Sequence, residues 1–206
     1  IAVALGERLS ESARLLGAVN CVRWDGEDLW GENTDGGGFV DSLRLEAGVD
    51  PAGAHVALLG AGGAGRAVAV ALAEAGVGRL TVINRDTTKA ERTAALVGRR
   101  ATVGAMSAVQ TADIVVNATS IGMGRPAVDG VVPCPVELLR ADQVVADLIY
   151  QPLRTAWLTA AAERGARTVN GVGMLLYQAV RAFEHWTGVA APVTAMRGAV
   201  DALIGE

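Results

Sequence analysis

A short apolar run followed at once by a glycine-rich turn constrains this chain more than any other stretch. Val56-Ala57-Leu58-Leu59 is long enough for a buried strand, and Gly60-Ala61-Gly62-Gly63-Ala64-Gly65 satisfies the pattern G-x-G-x-x-G. Arg66 to Gly76 is rich in alanine and ends on a residue suited to stopping a helix. Leu80-Thr81-Val82-Ile83 reads as a second strand, closed by Asn84-Arg85. The glycine pattern alone means little. Between a strand and a helix it predicts a βαβ unit that binds a dinucleotide. Gly60 permits the turn out of the strand, Gly62 lets a pyrophosphate approach the backbone, and Gly65 lets the helix pack closely on the sheet. The helix N-terminus then offers free N–H groups and partial positive charge to the phosphates. A glycine-rich turn without a ligand is the plainer alternative, and the flanking strands weigh against it.

The end of the second strand bears on which dinucleotide is taken. An NAD site places Asp or Glu there, to hold the ribose 2′-hydroxyl. Here Asn84 and Arg85 occupy the position. An arginine pairs with the 2′-phosphate of NADP and stacks on the adenine, so NADP is expected. Asp86 opposes that reading, because a carboxylate repels the phosphate. Arg85 as a merely solvated cation is the alternative.

The 206 residues suffice for one large domain or two small ones. Their 51% hydrophobic content is carried by alanine, valine and leucine rather than aromatics, which suits a parallel sheet covered by helices. A net charge of −4 and the lack of a basic run argue against nucleic acid. No apolar stretch reaches the roughly 20 residues that span a bilayer, and no secretory signal is visible. Cys21 and Cys134 lack metal-ligand spacing. A cytoplasmic protein with free thiols, no metal and no membrane contact is expected. The chain starts at Ile1 rather than methionine, which reads as a fragment or a processed product.

From the start of the chain, residues 1–16 read as the end of one helix and a second short one, with Leu5, Leu9 and Ala13 as an apolar stripe and Gly17 as a stop. Ala18 to Trp24 and Leu29 to Gly31 form a hairpin around Asp25-Gly26. Thr34 or Asp35 is expected to cap a helix over Gly37 to Ala47. After the βαβ unit, Thr88 and Glu91 have capping-box spacing at the start of a helix. Strands are expected at Ile114–Val116, Val144–Ala146 and Arg167–Val169. Between them lie a loop from Asn117 to Gly130, which includes Pro126, and a helix over Leu153–Arg164. Met174–Trp186 and Val193–Ile204 are two closing helices. This alternation predicts a Rossmann-type doubly wound parallel α/β sheet, with remnants of a second α/β unit at both ends of the chain. The expected division is 1–34 as part of a substrate-binding unit, 35–172 as the dinucleotide-binding unit with its linking helix, and 173–206 as closing helices that return to the first unit.

Several stretches together resemble the shikimate dehydrogenase family. They are Gly17-Ala18-Val19-Asn20, Asn33-Thr34-Asp35-Gly36, the glycine loop, Asn84-Arg85, Asn117 to Met123, Asp147-Leu148-Ile149-Tyr150, and Gly171-Val172-Gly173-Met174-Leu175 through Gln178. They stand in the family's order and spacing and cover essentially the whole chain. The resemblance implies reduction of 3-dehydroshikimate to shikimate with NADPH, on the route to aromatic amino acids. It further implies that Asn20 and Asp35 hold substrate hydroxyls, that Gln178 binds substrate from a closing helix, and that Tyr150 lies near the substrate carboxylate. Asp35 would also be half of a catalytic Lys–Asp pair. Thr119 and Ser120 would join Gly60, Ala61, Gly62, Gly63, Ala64, Gly65, Asn84 and Arg85 at the cofactor, with Gly173 and Met174 as the wall beside the nicotinamide.

Each residue has a plainer reading: Asn20 in a turn, Asp35 as a cap, Tyr150 in the core, Gln178 at the surface. The sequence also departs from the family's pattern. Cys21 stands in place of the usual threonine, and Asp86 where NADP-preferring members often carry Thr or Ser. The family's Asn-Val-Thr-x-Pro-x-Lys motif and its serine pair are missing, and Ile1 falls just after the expected lysine. The expectation is a chain that holds NADP yet oxidises shikimate barely or not at all by itself. Close alternatives are a quinate/shikimate dehydrogenase using NAD or NADP and a cofactor-binding module without catalysis. A glutamyl-tRNA reductase-like domain shares the Asn-Arg turn but is not expected to carry Asn33 to Gly36 or Gly171 to Gln178. A small-molecule substrate is expected; monomer and homodimer stay open.

Overall fold

The computed structural model describes residues 2–124 and 131–203. Ile1, Pro126 of the expected loop and Ile204 of the expected last helix lie outside the described residues. The chain begins with α1 (Ala2–Leu5), α2 (Glu11–Leu16) and the antiparallel hairpin β1 (Cys21–Asp25) and β2 (Asp28–Glu32). Helix α3 (Asp35–Leu45) leads into β3 (His55–Leu59), α4 (Gly63–Glu74), β4 (Arg79–Ile83) and α5 (Thr87–Val97). Then come β5 (Ala101–Val103), β6 (Ile114–Asn117), β7 (Val144–Asp147), α6 (Ala156–Glu163) and β8 (Arg167–Val169). Helices α7 (Val172–Thr187) and α8 (Val193–Leu203) close the described chain.

The large sheet has six parallel strands in the order β5-β4-β3-β6-β7-β8. Chain direction across the sheet reverses between β3 and β6, so a ligand crevice opens beyond their carboxyl ends. Alternation along β3 explains why both faces are covered. Val56 and Leu58 join Phe39, Leu43, Val68 and Leu72 in one core, while Ala57 and Leu59 join Val115, Trp157 and Leu158 in the other. Each fully buried valine or leucine contributes roughly 1.5–3 kcal/mol, so these short strands are fixed by burial rather than by length.

Four sequence expectations need correction. Strand β5 was not anticipated: it is three residues long, sits at the sheet edge, and exposes Thr102 and Val103, so it lacks an apolar run. Leu5, Leu9 and Ala13 do cluster, but from α1, the connecting segment and α2 rather than as one helical stripe. Helix α5 is capped by Asp86, whose side chain accepts from the Lys89 N–H, and not by Thr88. Helix α3 starts at Asp35 and so includes Gly36, Gly37 and Gly38. Three successive glycines are poor helix formers in isolation; here tertiary contact demands them. An added Cβ on Gly36 would collide with the Ala67 carbonyl of α4, and one on Gly38 would lie 2.5 Å from the Gln178 nitrogen of α7. Helix α3 is thereby wedged between α4 and α7 at backbone distance.

Candidate active site

The glycine loop takes the form its sequence predicts. Gly60 has φ +105, and a side chain there would press on the Ala118 carbonyl. A Cβ on Gly65 would collide with the Gly60 carbonyl, so this glycine brings α4 down onto the loop. Positions 62 and 63 face open space, and Gly62, Gly63 and Ala64 are exposed. Gly62 offers no side-chain cap, so the first N–H groups of α4 lack a side-chain acceptor. Such a cradle fits a pyrophosphate. Ala61 is buried, and its N–H donates to Asn84 Oδ1 at 3.3 Å.

Asn84 also donates from Nδ2 to the Asp86 carbonyl at 2.8 Å, so it braces the loop against the turn that carries Arg85. Arg85 is exposed, and its guanidinium is in no ion pair among the described residues. The Asp86 carboxylate faces its own helix, with Oδ1 on the Lys89 N–H at 3.2 Å and Oδ2 3.9 Å from Lys89 Nζ. It therefore has a structural task as the cap of α5, with the Lys89 ammonium as its nearest counter-charge.

A second cluster forms where the hairpin meets α3. The Asn20 amide donates to Asp35 Oδ1 at 2.7 Å and to Thr34 Oγ1 at 3.1 Å, and Asn20 Oδ1 accepts the Thr34 N–H at 2.9 Å. Thr34 holds the N-cap position, yet its hydroxyl faces Asn20 rather than capping α3. Burial pushes the Asp35 carboxyl above the ordinary aspartate range, and the Asn20 hydrogen bond opposes that rise. Asn20 thus orients the one carboxylate in the first turn of α3.

Gln178 is brought near by the Gly38 contact, but its own amide donates to the Leu175 carbonyl at 2.9 Å. Tyr150 makes no hydrogen bond to Asn20 or Asp35. It is 41% exposed and lines an apolar cavity with Pro152, Leu175, Val200 and Leu203. Gly173 has a packing reason as well, since an added Cβ would strike Ser42 Oγ on α3. Met174 is half-buried against the core that contains Phe39 and Leu43. Beyond β6, Thr119 donates from its N–H at 3.0 Å and from its hydroxyl at 2.7 Å to Asn117 Oδ1, while Ser120 is exposed.

Residues 45–123 match the family described as shikimate / quinate 5-dehydrogenase, and residues 171–200 match the shikimate 5′-dehydrogenase C-terminal domain. An NADP(+) shikimate dehydrogenase of Desulforamulus reducens is 42% identical over 218 residues, covering 97% of this chain and 72% of the relative. The chain belongs to the shikimate dehydrogenase family. The corresponding protein of Moorella thermoacetica is 47% identical over 194 residues, or 89% of this chain and 65% of that one. The chain thus spans 65–72% of the length of these family members. Among solved structures, the ligand-free 5-ketofructose reductase of Gluconobacter sp. strain CHM43 superposes with a TM-score of 0.85 at 41% identity, covering 95% of this chain and 72% of that one. The chain shares this frame, and Asp147, which stands in one of the sequence motifs without a role assigned to it there, is a buried polar residue in it.

Proposed function

We propose that this chain serves an NADP-dependent oxidoreductase acting on a CH–OH group, which interconverts shikimate and 3-dehydroshikimate on the route to aromatic amino acids, and that the chain by itself is weakly active or inactive. The observation that carries the reading is the Asn20–Asp35 hydrogen bond on α3, a helix in backbone contact with the cofactor helix α4 and with Gln178 of α7. Bound NADP supplies or accepts the hydride. Asn20 fixes the Asp35 carboxylate, and Asp35 holds the substrate hydroxyl and takes part in moving its proton. The lysine partner implied by the family is not Lys89, the sole lysine of the sequence, because Lys89 stands on α5 beside Asp86. Gln178 and Tyr150 complete the substrate contacts. Thr119, Ser120, Gly173 and Met174 flank the nicotinamide. Residues 1–34 and 173–206 serve the substrate side and 35–172 the cofactor. No helix among the described residues is long and apolar enough to cross a membrane, and we place the protein in the cytoplasm, as a monomer or homodimer.

The test is shikimate-dependent reduction of NADP by the encoded protein, with quinate and NAD in parallel. Turnover with shikimate and NADP is expected. The family description that covers 45–123 also includes quinate, and turnover with quinate alone would move the assignment there. NADPH binding with no turnover on either substrate would leave a cofactor-binding module.

Cofactor choice has its own test. Arg85→Ala should weaken NADP by about 10- to 150-fold, the worth of one charged hydrogen bond, and leave NAD binding nearly unchanged. Calorimetric titration of both cofactors reads the difference, and an equal loss for the two would remove Arg85 from the 2′-phosphate.

A further inference from the structure

Asn117 and Asp147 are register partners at the carboxyl ends of β6 and β7, and both are essentially without solvent exposure. A buried carboxylate is costly unless its acceptor sites are filled. Here they are filled from three directions. Oδ1 accepts from Asn117 Nδ2 at 2.9 Å and from the Ile149 N–H at 3.2 Å, and Oδ2 accepts from Thr155 Oγ1 at 2.8 Å. Asn117 Nδ2 donates to Asp147 and, at 3.4 Å, to the Ile121 carbonyl, so its oxygen is turned to Thr119, which donates to it twice. Thr119 Oγ1 then accepts the Ile121 N–H at 3.2 Å. The methyl of Thr119 and the Ala118 carbonyl are also what a side chain at Gly60 would meet. The donor and acceptor polarity of this chain runs one way, from carboxylate to amide to loop.

We propose that Asp147 is a positioning residue for the nicotinamide half of the cofactor, acting through Asn117 on the Thr119–Ser120 loop. The carboxylate accepts only, so it forces the Asn117 Nδ2 toward itself and the Asn117 oxygen toward Thr119. An asparagine at 147 can keep its oxygen on Asn117 and on the Ile149 N–H, but it loses the charge and turns a donor toward Thr155 Oγ1, so its hold on Asn117 is weaker. An Asn117 held less firmly fixes Thr119 less firmly, since both Thr119 donors end on its oxygen, and the Thr119–Ser120 loop can shift. Of the glycine cradle, Gly60 lies against Ala118 and Thr119, but Gly62 and Gly63 face open space and Arg85 follows another strand, so the adenosine end keeps its shape. The effect is therefore selective for one end of the dinucleotide, whereas general loosening of the sheet would weaken both ends.

The proposal rests on the glycine loop as the cofactor site, and the experiment separates the two. The chain is titrated with NADP and with adenosine 2′,5′-bisphosphate, which is the adenosine half of NADP alone. Asp147→Asn should weaken NADP by about 10-fold, as for one lost charged hydrogen bond, and leave the bisphosphate unchanged. Thr155→Val, which removes one donor to the carboxylate, should weaken NADP in the same selective way and by less. Thr155→Ser, which keeps that donor and the α6 cap, should bind both ligands as the native chain does. These Thr155 variants decide the matter if Asp147→Asn fails to fold. Equal losses for the two ligands, or none, would overturn the role of Asp147 and leave the cofactor site standing. Failure of the native chain to bind the bisphosphate would overturn both.

Discussion

Asp35→Asn should lower shikimate turnover in the encoded protein by about 10²- to 10⁴-fold, the usual worth of general acid–base catalysis. Asparagine keeps the size of the residue and can still accept the Asn20 hydrogen bond through its oxygen. The first turn of α3 is therefore retained, and the variant loses only charge and the capacity to move a proton. NADP affinity should stay where it is, because the glycine cradle lies on α4. Measuring kcat alongside cofactor affinity gives the answer. Unchanged turnover would remove Asp35 from the chemistry, and a parallel loss of cofactor affinity would make it a structural residue.

Gly62→Val should cost more than about 100-fold in affinity for either cofactor, or some 2.7 kcal/mol, with the fold intact. The two halves of this expectation have separate grounds. Gly62 has φ −82 and ψ −166, an extended conformation open to valine, and a Cβ there meets nothing within 4 Å. The same open space is what the pyrophosphate would fill. A variant with native thermal stability that still bound NADPH would show that the glycine loop is not the site. Gly65 makes a poor substitute for this test, because a Cβ there collides with the Gly60 carbonyl and would disturb the fold itself.

The parts legible in the sequence were those written in local pattern. Strands β3, β4, β6 and β7 announce themselves by apolar runs that burial on both faces requires, and the close packing at Gly60 and Gly65 follows from the glycine spacing once it stands between a strand and a helix. The parts that were not legible depend on contacts far apart in the chain. Strand β5 is held by its pairing with β4, a relation that three residues cannot signal. The sequence allows Asp86 to be a rival of the 2′-phosphate and a helix cap, and only the position of α5 decides between them. Asp147 reads as a strand end, because its partners Asn117 and Thr155 stand 30 and 8 residues away. Tyr150 and Gln178 are singled out by family order alone, and their orientations, toward an apolar cavity and the Leu175 carbonyl, are set by local packing that no motif encodes.

The wedging of α3 has a consequence for how such a site can diverge. At Gly36 and Gly38 the neighbours are main-chain atoms of α4 and α7, so even alanine is too large. Binding sites commonly drift by exchanging side chains at a helix interface, which tilts one helix and reshapes the cleft. That route is narrow here, since the nearest atoms at those contacts are main-chain atoms of Ala67 and Gln178, with only the Cβ atoms of Ala71 and Gln178 beside them. On the proposed reading, new substrate preferences would arise in residues that hang from the frame, such as Asn20, Tyr150 and Gln178, while the spacing between Asp35 and the glycine loop would be inherited unchanged.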